Sequence, residues 1–175
     1  MSNLYILIGF VGSGKTVWAR RMAQENPNVK IVSPDAMREM LNGGYKYEKN
    51  LDPLIDIICY NTMFSLLLNK FDVIIDCCNL TQKRRKYWLQ IVTDWSNVKR
   101  IAVVFPNRGM GWHIDNRMKD PRENTNRIYW EAVYGLHRAQ FEPVDKSMFD
   151  KIFCPGCLPT SAVCYECGRN DNGRE

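Results

Sequence analysis

Eight residues near the amino terminus, Gly9-Phe10-Val11-Gly12-Ser13-Gly14-Lys15-Thr16, satisfy G-x-x-x-x-G-K-[ST] at every position. The chemistry this spacing serves is the capture of a polyphosphate. Glycines let backbone N–H groups turn inward around phosphate oxygens, and a helix that starts as the loop ends adds its dipole. Gly9, Gly12, Ser13 and Gly14 build the loop, Lys15 reaches the β- and γ-phosphates of ATP, and the Thr16 hydroxyl suits Mg²⁺. A chance match in a chain of 175 residues is on the order of one per cent. Here it also stands between an apolar strand pattern and a helical one. The dinucleotide-binding fingerprint lacks the Lys-Thr pair and is excluded.

Moving a phosphoryl group onto a hydroxyl requires more. A carboxylate must orient or deprotonate the acceptor, another group must support the metal, and arginines must spread the developing charge. Asp35 follows the second strand pattern, Asp76 ends the third, and Arg117 and Arg122 follow the fourth. Arg38 lies one turn after Asp35 on the same helix face. Each has a plainer reading: Asp35 as charge in a helix's first turn, Asp76 as a strand-end cap, and Lys83, Arg84 and Arg85 as a solvated helix face. Asn69-Lys70-Phe71-Asp72 spells the N-K-x-D of guanine-specific GTPases, but it precedes a strand and falls at the opposite sheet edge from Lys15. His113 and His137 read as ordinary surface or helix residues. Cys77 and Cys78 read as small buried residues rather than redox groups.

The elements that must hold these groups alternate. Leu4 to Ile8 is an apolar run without alternation, as expected of a strand buried on both faces. A helix follows from Lys15 to about Gln24, a strand over 29–32, and a helix capped by Ser33 with Pro34 in its first turn. Apolar spacing predicts a long helix over about 52–68, a strand at 73–75, a basic helix over 81–94 and a strand at 101–105. A polar segment over 113–126 and a last helix to about 142 complete the pattern. The fold expected is α/β: a parallel sheet flanked by helices, with a P-loop domain over residues 1–150.

Residues 151–175 form a tail with Cys154, Cys157, Cys164 and Cys167 in two C-x-x-C pairs. Two such knuckles close a tetrahedral thiolate site for structural Zn²⁺, with no open position for catalysis. A tail this short draws its folding energy from a metal. No apolar run near 20 residues and no basic leader stand out, so no membrane span and a cytoplasmic protein with reduced thiols are expected. Net charge is +5, and residues 81–127 alone carry eleven Lys/Arg against four Asp/Glu. That balance suits a polyanion such as nucleic acid, although ATP phosphates alone also need cations.

G-F-V-G-S-G-K-T-V-W-A-R-R, S-P-D-A-M-R and D-C-C-N-L-T-Q-K-R-R resemble the polynucleotide 5′-hydroxyl kinase family of small P-loop kinases. The stretch F-E-P-V-D-K-S-M-F-D is similar to the kinase-domain end of phage members, so the resemblance covers roughly the first 150 residues. It implies Asp35 as general base and Arg38 as holder of the acceptor's phosphate. It implies Asp76 and Asn79 lining the acceptor site, and Arg117 and Arg122 as lid arginines. Cys78 stands where the family has threonine, which removes a hydroxyl beside the acceptor and leaves the acceptor's identity open. No D-x-D-x-T phosphatase element accompanies the kinase motifs. The readings carried forward are a kinase of nucleic-acid 5′-hydroxyls (DNA ahead of RNA), a kinase of 5-hydroxymethyluracil within DNA, and a nucleotide-dependent switch or small-molecule kinase.

Overall fold

The computed structural model describes residues 1–44, 46–120, 126–155, 163–164 and 169–170. Five strands form one parallel sheet in the order β2-β3-β1-β4-β5: β1 (Ser2–Ile8), β2 (Val29–Val32), β3 (Asp72–Ile75), β4 (Val98–Val104) and β5 (Lys151–Phe153). β1 is flanked on both sides, Leu4 pairing Val73 of β3 and Arg100 of β4, which is why its apolar run does not alternate. Six helices join these strands: α1 (Lys15–Glu25), α2 (Pro34–Asn42), α3 (Asp52–Leu68), α4 (Gln82–Leu89), α5 (Met110–Met118) and α6 (Arg127–Gln140). A two-stranded antiparallel pair, β6 (Val163–Cys164) and β7 (Arg169–Asn170), lies in the tail.

Three cores result. On one sheet face, Leu4, Ile6 and Ile8 meet Ile55, Cys59 and Met63 of α3 and Trp88 of α4. On the other, Leu7, Ile74 and Val103 meet Ala19 and Trp18 of α1. A third, smaller core joins Phe10 of the glycine-rich loop to Ile114 of α5 and to Trp130 and Tyr134 of α6. Burying a side chain the size of Phe10 stabilises by about 1.5–3 kcal/mol, enough to fasten the loop to these two helices.

Several expectations change. Residues 113–118 of the segment expected to be a polar connection belong to α5, because His113, Ile114 and Arg117 turn one face inward. Lys49–Leu68 meets the length and composition of a membrane-crossing helix. Its apolarity has a local cause, since Ile55, Cys59, Met63 and Leu67 form the stripe that covers the sheet. Asp72 of the N-K-x-D lookalike accepts the Asn3 backbone N–H at 2.7 Å and its amide at 3.0 Å, at the sheet edge remote from the loop.

Arg85 is fully buried, which sets aside the solvated face as its plainer reading. Its guanidinium donates to the carbonyls of Asn79, Leu80, Glu142 and Pro143 at 2.6–2.9 Å. One side chain thus ties the β3–α4 turn to the chain after α6. Burial lowers its pKa to about 10, so it stays charged at neutral pH. Replacing Arg85 with alanine takes the donor from four carbonyls, of which only Leu80 keeps another partner among the described residues, the Glu142 N–H, and should cost on the order of 3 kcal/mol, with lysine restoring only part because a point charge cannot span the fork. Urea unfolding of the two variants measures this; a loss under about 1 kcal/mol for alanine would contradict it.

Candidate phosphoryl-transfer site

The parallel register brings the carboxyl ends of β1, β2 and β3 to one sheet edge, and the cleft of about 590 Å³ opens there. Its floor is the glycine-rich loop. Gly14, at φ 88°, is the N-cap of α1 and offers no side chain to the helix's first N–H groups. By contrast Ser33, Thr81 and Asn126 cap α2, α4 and α6 with side-chain oxygens. The start of α1 is therefore left open to an anion. Lys15, only 8% exposed, donates its ammonium to the carbonyls of Gly9 (3.0 Å) and Phe10 (2.7 Å) and to the Ser13 hydroxyl (3.2 Å). Gly12 has φ 68°, and a Cβ there would sit 2.1 Å from the His113 carbonyl oxygen of α5. Only glycine fits.

The acceptor-side residues share this cleft. Asp35, Arg38, Asp76, Cys78, Asn79 and Arg117 line it together with Lys15 and Thr16. The Asp35 side chain is half exposed and takes a 2.9 Å ion pair from Arg38. Arg38 also binds Asp52 at 2.5 Å and lies over the Tyr47 ring, whose hydroxyl donates to Asp52 at 3.0 Å. Asp76 is buried at the end of β3. The Cys78 thiol lies against the Lys15 ammonium, and burial raises its pKa, so it stays protonated. Arg117 is buried, 3.9 Å above the Trp130 ring and 3.4 Å from Asp120. Arg122 lies outside the described residues.

Asn79 serves the scaffold rather than projecting into the cleft as a ligand. Its amide donates to the Leu7 carbonyl at 2.7 Å, and its oxygen accepts from Trp88 Nε1 and the Cys77 thiol, both at 2.9 Å. Its φ of 46° is the left-handed turn that lifts the chain off β3 beside the loop, where the Gly9 N–H meets the Cys78 carbonyl. Burial pushes the Cys77 thiol up to about 12, in keeping with an inert thiol.

Arg84 fits neither a solvated face nor a free cation. It forks onto Asp56 at 2.5 and 2.6 Å and packs over Trp88. Burial pulls its pKa down, but Asp56 and Cys77 together outweigh this and raise it. The basic stretch is similarly engaged: Arg85 on carbonyls, Arg100 on Asp150, Arg117 on Asp120, Arg127 on Asp115 and Glu131. The charge excess of residues 81–127 is thus partly internal pairing rather than an open basic face.

A family model described as an AAA domain matches residues 4–130, from β1 through the glycine-rich loop into α6. The chain belongs to this family. Its fold is shared by matched chains from two structures of the Pnkp1/Rnl/Hen1 complex, TM-scores 0.54 and 0.60 at 24% and 22% identity over 69% and 81% of this chain. A fungal RNA kinase matches with TM-score 0.62 at 17% identity, over 87% of this chain and 74% of that one. A gluconokinase from Sinorhizobium meliloti 1021 matches with TM-score 0.53 at 11% identity, over 87% and 81%. The chain spans 39% and 46% of the two Pnkp1/Rnl/Hen1 chains. By family it is an AAA domain, and its fold is one that it shares with solved chains named as kinases.

Both histidines contact the glycine-rich loop at Val11. His113 is fully buried; its Nδ1 meets the Val11 carbonyl at 3.0 Å, and its Nε2 accepts the Arg108 N–H at 3.2 Å. The Nδ1 of His137 accepts the Val11 N–H at 3.1 Å. Neither position carries a sequence signal, because both lie over 100 residues from Val11 in the chain. Asp52 and Asp56 likewise reach Arg38 and Arg84 only through the packing of α3.

Burial, with the nearby Lys15 charge, lowers both imidazoles from 6.5 to about 4. Between those values the unfolded chain binds protons that the folded chain refuses, so stability rises with pH there and is complete above about 6.5. Urea midpoints should be level from about pH 7 to 8 and fall from about 6.5 to 5, above the range of ordinary carboxylates. A level profile down to about pH 5 would contradict the assignment.

Proposed function

We propose that the chain transfers the γ-phosphoryl group of ATP to a nucleic-acid hydroxyl, with the 5′-hydroxyl of a strand end as acceptor. The observation that carries this reading is that Asp35, half exposed and oriented by Arg38 at 2.9 Å, lines the same cleft as Lys15 and Thr16. A carboxylate so placed takes the proton of an acceptor hydroxyl as its oxygen bonds to the γ-phosphorus. The bond from that phosphorus to the β–γ bridging oxygen breaks, and the electron pair leaves with ADP. Lys15, Arg117 and the open N-terminus of α1 meet the charge on the transferring group. Thr16 would hold Mg²⁺, which supplies further charge neutralisation when bound. A switch that only hydrolyses nucleotide has no use for Asp35 and Arg38 on the acceptor side.

The matched structures named for an RNA repair complex and an RNA kinase favour RNA over DNA as the strand, reversing the order taken from sequence. A gluconokinase shares the fold, so the fold alone does not choose the acceptor. With γ-labelled ATP and Mg²⁺, 5′-hydroxyl RNA should take label, ahead of 5′-hydroxyl DNA. Label only on gluconate, or only on end-blocked DNA containing 5-hydroxymethyluracil, would remove the end-kinase reading. Asp35→Asn should slow transfer about 10²–10⁴-fold while ATP affinity stays within about threefold. Undiminished turnover would take Asp35 out of the reaction.

The tail is proposed to close around one Zn²⁺ through Cys154, Cys157, Cys164 and Cys167. Cys154 is buried after β5, and the antiparallel pairing of Cys164 with Arg169 suits a knuckle spanning the C-x-x-C. Among the described residues no group of three or more potential metal ligands occurs, and Cys157, Cys167 and the Cys164 side chain lie outside them. Purified protein should hold about one equivalent of zinc; less than about half would count against the site.

A further inference from the structure

We propose that His113 and His137 are positioning residues for the ATP phosphates, acting through the two peptide planes that flank Val11. This goes beyond the reading of the acceptor and does not depend on it. A trans peptide is planar, with its C=O and N–H pointing in opposite directions. His137 Nδ1 accepts the Val11 N–H at 3.1 Å, and that plane's other end is the Phe10 carbonyl, which receives the Lys15 ammonium at 2.7 Å. The Val11 carbonyl meets His113 Nδ1 at 3.0 Å, so the Gly12 N–H at the other end of that plane turns to the opposite side, into the cradle. One imidazole aims a carbonyl at the lysine, and the other aims an N–H at the phosphate.

The hydrogen bonds dictate the tautomers. Arg108 donates its N–H to His113 Nε2, so the proton of that ring sits on Nδ1 and donates to Val11. His137 accepts at Nδ1, so its proton sits on Nε2. The two rings must be opposite tautomers and both neutral. The charged groups acting on them are cations, Lys15 on both rings and Arg108 on His113, and they disfavour a second proton on either ring; Tyr134 packs against His113 as the other titratable neighbour. The rings are carried by α5 and α6, so the phosphate loop is shaped by the helices that also hold Arg117 and Trp130. Asn116 of α5 adds a 3.5 Å contact to the Gly12 carbonyl.

The test measures phosphate recognition apart from the rest of nucleotide binding. The full chain is titrated with Mg-ATP and separately with adenosine, which has no phosphate, at neutral pH. His137→Leu should lower the ratio of ATP to adenosine affinity about tenfold, the equivalent of about 1.4 kcal/mol. His137→Gln keeps an acceptor for the Val11 N–H and should stay within about threefold of the parent. A ratio unchanged in His137→Leu, or His137→Gln falling as far as leucine, would overturn the proposal. A second measurement needs no variant. The chain has two histidines, so its imidazole ¹⁵N spectrum should show one ring protonated at Nδ1 and one at Nε2. Two rings of the same tautomer would overturn it equally.

Discussion

The N-terminus of α1 suits an anion because its N-cap, Gly14, has no side chain with which to cap it. Gly14 replaces the usual oxygen-bearing cap, and the first turn carries no acidic residue. Helix starts left this way retain unsatisfied N–H groups and the positive end of the helix dipole. Every other functional group has its meaning relative to that point. The parallel sheet matters because it delivers the ends of β2 and β3, and with them Asp35 and Asp76, to the same edge as the loop. An antiparallel neighbour would have sent one of them to the far side, where Asp72 sits.

The loop that presents this site is held from three directions. Phe10 anchors it in the small core of α5 and α6, the Asn79 turn receives the Gly9 N–H through the Cys78 carbonyl, and two histidines take the polar groups of Val11. A loop of glycines has high conformational entropy to lose, and these fixed partners reduce how much of it ATP must order on binding. The consequence is that α5, α6 and the glycine-rich loop are no longer independent. Gly12 packed against the α5 backbone makes the coupling steric as well as polar.

On the acceptor side, cations are balanced by carboxylates. Arg38 pairs with Asp35 and Asp52, and Arg84 with Asp56. Such pairs fix geometry more than they add stability, because two desolvated charges return little beyond the loss of their hydration. The outcome is a cleft whose walls are ordered by paired charges while Lys15 remains directed into the loop. That division fits a transfer site, where the acceptor must be held at an angle and the phosphates must be neutralised.

Much of this was legible in the sequence because it is local. The glycine-rich loop, the Ser33 cap, the apolar runs of β1, β3 and β4 and the helical spacing of α3 depend on neighbours within a few residues, and their periodicities survive in a linear string. The alternation of these elements then dictated a parallel sheet, and the sheet placed Asp35, Asp76 and Lys15 at one edge. Local patterns could not say which basic residues face water. Arg85 reads as a surface arginine of a basic helix, and only the return of the chain at Glu142 and Pro143 surrounds it with carbonyls. His113 and His137 carry no motif because their partner is a backbone group, which every residue has, and the pairing spans 102 and 126 positions. The sequence by itself determined what chemistry the chain could attempt; the packing of α3, α5 and α6 decided which side chains hold the parts in place, since such contacts exist only once distant segments have been folded against one another.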